Sequence, residues 1–253
     1  MRSISSFGQL FYLPLFVLVA RARNILIAAL IILILPATLL SSSESAKLAL
    51  LVGSLTYVAA LYYPNLAYQL TSLIWTAAFL LVIPLTLLAY EYKLQDRTWL
   101  FDSARDRIYI WKYTATKIGE HPLKGFGIRS SRKFANEDKL TGRNKRQVIY
   151  YPRPDWHPHN LFLQTWLDLG VGGVGLLIAI GLLLLRRIKH MAPRPRPCAL
   201  ATFTTAASVS AFGYDMWQSW LIAGYAWAII FLLISIAQID KMKMNERKIK
   251  PQG

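Results

Sequence analysis

The sequence predicts an all-α, polytopic membrane protein of about five or six transmembrane helices, with one long external loop that contains an amphipathic helix. Three observations predict it. Hydrophobic residues make up 55% of the 253 residues and charged residues only 17%, where a soluble domain carries about 25% charge. The apolar residues fall in runs that approach the roughly 20 residues a bilayer core demands. The net charge of +16 lies almost wholly between those runs. Together these all but exclude a soluble enzyme or a soluble nucleic-acid binder. The expected surroundings are a lipid bilayer, and no nucleic acid is expected as a partner.

The elements follow in order. Residues 7–20 are apolar but short for a span, and residues 24–40 are a clean run. Arg21 and Arg23 follow the first apolar stretch instead of preceding it, which argues against a secretory signal peptide. In residues 46–63 the only charge is Lys47, and residues 66–90 are apolar throughout, with a kink expected at Pro84. Residues 160–185 carry one charge, Asp168, followed by Gly170-Val171-Gly172-Gly173; such glycines permit either close helix packing or a local break. Residues 198–239 are too long for one helix and are interrupted at Gly213-Tyr214-Asp215, so they read as a helical hairpin. Its first arm, rich in Ala, Thr and Ser, suits packing between helices. The chain thus divides into N-terminal spans (1–90), a loop domain (91–158), C-terminal spans (159–240) and a basic tail (241–253).

Orientation comes from the short loops. Arg186, Arg187, Lys189, Arg194 and Arg196 form a compact loop without an acid, which places it and the tail inside. Arg21 and Arg23 then also fall inside, while residues 41–45 and 91–158 fall outside. The external loop nevertheless holds 15 basic and 8 acidic residues. That excess is either a solvated surface or a meeting place for an anion such as phosphate, a lipid headgroup or an acidic glycan.

Within this loop residues 98–119 read as an amphipathic helix, with Ala104, Ile108, Trp111, Ala115 and Ile118 at three- and four-residue steps. It either lies in the membrane interface or packs against the outer ends of the spans. A Pro/Gly turn, His121-Pro122-Leu123-Lys124-Gly125-Phe126-Gly127, comes next. Residues 129–153 hold eight basic groups and little apolar content, the composition of a mobile or ligand-ordered segment.

Two of the four histidines stand in Trp156-His157-Pro158-His159-Asn160, at the outer start of a span. An imidazole titrates near neutral pH and can act as a general base, or it can simply bond a loop carbonyl. Metal binding is not expected, because His157 and His159 lack Cys or carboxylate companions at ligand spacing. Cys198, the single cysteine, reads as a small buried hydrophobe. No P-loop, dinucleotide fingerprint or nucleophile elbow occurs.

Arg107-x-x-x-Trp111, then Pro122-Leu123-x-Gly125-x-Gly127, then His159-Asn160-x9-Gly170-x-x-Gly173 resembles the O-antigen ligase/polymerase superfamily of bacterial membrane glycosyltransferases, over about residues 40–240. The resemblance implies a GT-C-like bundle in the inner membrane. It implies transfer of a glycan from undecaprenyl diphosphate to an acceptor hydroxyl at the periplasmic face, without cofactor or metal. The acceptor is lipid A–core in ligases and a growing lipid-linked polysaccharide in polymerases. Carried over, His159 is the general base and Arg107 holds the diphosphate, with Arg105, Arg129, His157 and Asn160 as neighbouring substrate contacts. Two departures stand out. The basic residue expected at the outer end of an earlier span is absent from Ser41-Ser42-Ser43-Glu44-Ser45-Ala46-Lys47, leaving Lys47 as a candidate substitute. The chain also has about half the usual spans and looks like a C-terminal half. A lipid-linked transporter subunit and a scaffold without chemistry are the other classes considered; the first would call for inverted repeats, which the sequence does not show.

Overall fold

The computed structural model describes residues 36, 38–41, 43–131, 134, 140–144, 147–151, 157–230 and 233–234. The apolar run at 7–20, nearly all of that at 24–40 and the basic tail lie outside them. The described chain is helical: α1 (Glu44–Tyr62), α2 (Pro64–Glu91), a 3-10 turn (Leu94–Asp96), α3 (Asp102–Ile118), α4 (Leu161–Lys189), α5 (Arg196–Phe212) and α6 (Ser219–Ile230). Among the described residues three helices, α1, α2 and α4, are long and apolar enough to cross a membrane. Between α3 and α4 the strands β1 (Leu140–Asn144) and β2 (Gln147–Tyr151) pair antiparallel, Leu140 opposite Tyr151. Part of the segment expected to be mobile is therefore a hairpin. The β-branched and aromatic run Val148-Ile149-Tyr150-Tyr151 is strand-forming, a signal that the surrounding basic residues masked.

The chain forms two compact units. The first takes in residues up to Gln69, Leu185–Val209 and the chain from Gln218. Here α1 buries Ala46, Ala49, Gly53 and Ala60, a stripe of small residues at steps of three, four and seven that lets helices approach closely. Its large side chains Leu48, Leu51, Leu55 and Val58 are exposed. In water such a surface would collapse; against acyl chains it is already solvated. Ser43 precedes the helix, and Glu44 in its first turn pairs with Lys47 at 3.1 Å. Pro64 opens α2, the position where its missing N–H costs nothing. Cys198 is buried beside Tyr57, as a small hydrophobe would be.

The second unit comprises Leu70–Leu184 and Ser210–Trp217. Its core joins Phe79 and Val82 of α2, Ile110, Tyr113 and Ile118 of α3, and Phe162, Leu163, Leu167 and Val174 of α4. Phe79 and Phe162 meet edge to face at 4.8 Å, Trp75 adds a second such contact to Phe79 at 5.2 Å, and Trp166 Nε1–H donates to the Phe79 carbonyl at 2.8 Å. Of the two places open to the amphipathic helix, packing on the spans is the one observed. Pro84 lies inside α2, which runs as one helix from Pro64 to Glu91.

α4 breaks once. Gly170 has φ 61° and ψ −160°, a conformation essentially restricted to glycine, and the helix resumes beyond it. A Cβ on Gly170 would run into the Leu123 carbonyl, whereas one on Gly172 would meet nothing within 4 Å. Gly170→Ala should therefore lower stability by about 2–4 kcal/mol, while Gly172→Ala leaves it unchanged or slightly raised. Thermal melting of the two variants in detergent, followed by size-exclusion chromatography, checks this; equal melting temperatures would refute the assigned backbone.

Candidate active site

The break in α4 frees backbone groups that the helix would otherwise pair, and the Pro/Gly turn takes them up. Phe126 N–H donates to the Leu167 carbonyl at 2.8 Å and Gly127 N–H to the Asp168 carbonyl at 2.9 Å. In return Val171 N–H, just past the break, donates to the Pro122 carbonyl at 2.9 Å. The approach is so close that a Cβ on Gly125 (φ +64°) would lie 2.6 Å from the Asp168 carbonyl carbon. The Pro-Leu-x-Gly-x-Gly turn and the glycine nine residues beyond His159-Asn160 are thus the two halves of one backbone joint.

Asp168, 1% exposed, is the polar hub beside the joint. Its Oδ1 accepts from Ser130 Oγ at 2.6 Å and from Ser130 N–H at 3.2 Å. Its Oδ2 accepts from Trp217 Nε1–H at 2.7 Å and from Gln164 Nε2 at 3.4 Å. Gln164, one turn earlier on α4, also donates to Asp215 Oδ1 at 2.6 Å and accepts from Met216 N–H at 3.0 Å. Arg129 Nη2 adds a bond to the Trp217 carbonyl at 3.1 Å. These contacts fix the turn 213–217 against the start of α4.

His159 stands between that turn and α3. Asn160 is the cap of α4: its Oδ1 accepts from Phe162 N–H at 3.0 Å and Leu163 N–H at 3.1 Å, satisfying donors that a helix start leaves open. Immediately before it His159 takes φ +50°, uncommon for a residue with a Cβ. Three contacts hold it there. Trp111 Nε1–H of α3 donates to the Pro158 carbonyl at 2.7 Å, the His159 amide donates to His157 Nδ1 at 3.3 Å, and His159 Nδ1 lies 3.1 Å from the Gly213 carbonyl. The His157 and His159 rings are 3.8 Å apart between centroids.

A carbonyl oxygen can only accept, so the neutral His159 ring carries its proton on Nδ1 and leaves the Nε2 lone pair bare. Burial, the largest influence, lowers the imidazole pKa below its ordinary 6.5. The Gly213 carbonyl, next in size, opposes that shift, the Arg107 charge adds a smaller lowering, and Asp215 opposes last. Arg107 lies one helical turn before Trp111, so both project from the same side of α3. The Arg-x-x-x-Trp spacing therefore brings a cation to His159 and an indole donor to the carbonyl just before it.

The remaining sequence candidates divide. Arg129 and His157 join the His159 site, and Asn160 contributes as the helix cap. Arg105 sits two positions from Arg107 on another face of α3 and pairs with Asp102. Lys47 belongs to the first unit and pairs with Glu44. Among the described residues no three His, Cys, Asp or Glu side chains gather as metal ligands. Sequence reasoning missed Ser130, Gln164, Asp168 and Trp217. The available signal was Asp168 itself, because a carboxylate in an otherwise apolar span needs partners.

No solved structure matches this chain. Two curated proteins named "Putative polysaccharide ligase" are similar to it. One, from Rickettsia bellii (strain RML369-C), is 31% identical over 140 residues; another, from Rickettsia conorii (strain ATCC VR-613 / Malish 7), is 29% identical over 136 residues. The similar stretch is 53% of this chain in both cases and 33% and 32% of those proteins, about a third of their length. Residues 10–180, well over half of the chain and including α3, the Pro/Gly turn, His159 and the break at Gly170, match the family described as O-antigen ligase. The chain belongs to the O-antigen ligase family.

Proposed function

We propose that the protein is a membrane glycosyltransferase of the polysaccharide-ligase type, moving a glycan from undecaprenyl diphosphate to an acceptor hydroxyl, that of lipid A–core, at the periplasmic face of the bacterial inner membrane. The observation that carries the reading is a histidine whose Nδ1 is committed to the Gly213 carbonyl, leaving Nε2 as a base, with the Arg107 charge close enough to act on it. In the step envisaged, Nε2 takes the acceptor proton while the acceptor oxygen attacks the anomeric carbon. The bond from that carbon to the diphosphate oxygen breaks, with inversion, and the electron pair leaves with the diphosphate. Arg107 stabilises the growing negative charge, for which a guanidinium offers a fixed charge and paired donors. Arg129 faces the same turn and is the second candidate for the diphosphate. Asn160, with its amide oxygen engaged in the helix cap, supports the base by fixing the start of α4. Both relatives carry a ligase name, which favours ligation over polymerisation of lipid-linked repeats.

His159→Ala or Arg107→Ala, introduced into the complete protein, should reduce glycan transfer by about 10²-fold or more while leaving membrane insertion intact. Polysaccharide gels of cells carrying each variant check this: free lipid core should accumulate, and normal ladders from both variants would refute the mechanism.

The pH dependence carries its own sign. A pKa held below 6.5 keeps the base form populated into mildly acidic conditions, so transfer should fall off only below that pH. Because the Arg107 charge helps depress the pKa, Arg107→Gln should move the acidic limb of its residual activity upward, toward 6.5. A limb that stays in place or moves downward would contradict the proposed pairing.

A further inference from the structure

The first unit holds a second cluster of cations that the transfer reaction does not use. A small, partly open cleft with about 10 Å3 of enclosed space is lined by Pro64, Asn65, Tyr68, Lys189, Arg196 and Leu200, among others. It forms where α1 ends, α2 begins, α4 ends and α5 begins. Four helix ends meeting at one level mark a membrane–water boundary, and the five cations of residues 186–197, with no acid among them, sit at the same level.

The chemistry of the lining is one-sided. Lys189 Nζ rests 5.0 Å above the Tyr68 ring, and Arg196 Nη2 donates to the Met191 carbonyl at 2.9 Å. Arg196 Nε is buried and has no acceptor among the described residues. The ion pairs found there, Lys47–Glu44, Arg105–Asp102 and Lys117–Glu120, include neither Lys189 nor Arg196. A guanidinium N–H shut away from water without an acceptor is costly. A phosphate oxygen would relieve it, and guanidinium suits phosphate. Asn65 and the Tyr68 hydroxyl offer further donors. Beside the cleft Leu61, Tyr62 and Leu66 are exposed, which gives an acyl chain a surface to follow.

We propose that this cleft binds a phosphate anion, supplied by the headgroup of an anionic phospholipid or by free phosphate, and that the apolar shoulder favours the lipid. The site is independent of glycan transfer. It anchors the ends of α1, α2, α4 and α5 to one leaflet.

Native mass spectrometry of the full chain, released from micelles holding equal phosphatidylglycerol and phosphatidylethanolamine, tests it. Wild type should retain phosphatidylglycerol in preference. Lys189→Gln combined with Arg196→Gln should weaken that retention by roughly 30-fold, whereas the charge-matched pair Arg186→Gln and Arg187→Gln, outside the cleft, should weaken it by less than about fivefold. Arg196→Lys, which keeps the charge, should keep most of the retention and separates loss of the site from loss of the fold. Inorganic phosphate added without lipid distinguishes the sources: an adduct lost in the cleft variant and kept in the control assigns free phosphate to the site. Equal losses in the two double variants, or neither lipid preference nor phosphate adduct in wild type, would overturn the proposal.

Discussion

The second unit depends on one exchange of backbone hydrogen bonds. Where α4 opens at Gly170, the Leu167 and Asp168 carbonyls and the Val171 amide find their partners in the turn from Pro122 to Gly127. In an apolar setting an unpaired peptide group costs several kcal/mol, so a span can break only where another segment supplies the missing donors and acceptors. The turn is that segment. It ties the chain beyond α3 to the interior of a spanning helix.

The Asp168 hub extends that joint sideways. Ser130 follows the turn by three residues, Gln164 precedes Asp168 by one helical turn, and Trp217 closes the connection between α5 and α6. All three bond the same carboxylate. Through Gln164, Asp215 and Met216 the network fixes the stretch bearing the Gly213 carbonyl, and that carbonyl sets the tautomer of His159. The ring is positioned from the other side by Trp111 acting on the Pro158 carbonyl. The proposed base is thus placed by three chain segments far apart in sequence, which limits its freedom.

Much of this was legible in the sequence, for identifiable reasons. The membrane class was legible because a bilayer sets a minimum apolar length, and the hairpin break at residues 213–215 because polar residues interrupted a run too long for one helix. Trp111 could be read as part of the apolar face of the helix at 98–119, and Asn160 as standing at a helix start. What the spacing could not convey was the partner of each group. Gly170 was compatible with packing or with a break, and only the location of the 122–127 turn decides between them. Asp168 looked like an isolated charge because Ser130 and Trp217 are dozens of residues away. The hairpin at Leu140–Tyr151 was hidden by the basic residues around a short β-prone run, and Arg105 read as a substrate contact neighbouring Arg107, whereas it pairs with Asp102 on another face of the helix.

The backbone of His159 has a consequence for how this protein can vary. A side chain held at φ +50° costs the fold about 1–3 kcal/mol relative to a relaxed position, a cost that glycine would largely avoid. At that position glycine therefore relieves backbone strain while removing the imidazole. Libraries screened for expression or heat resistance alone would drift toward glycine there and lose the ring without any visible defect in folding. Stability screens on this scaffold need a functional filter at that position above all others.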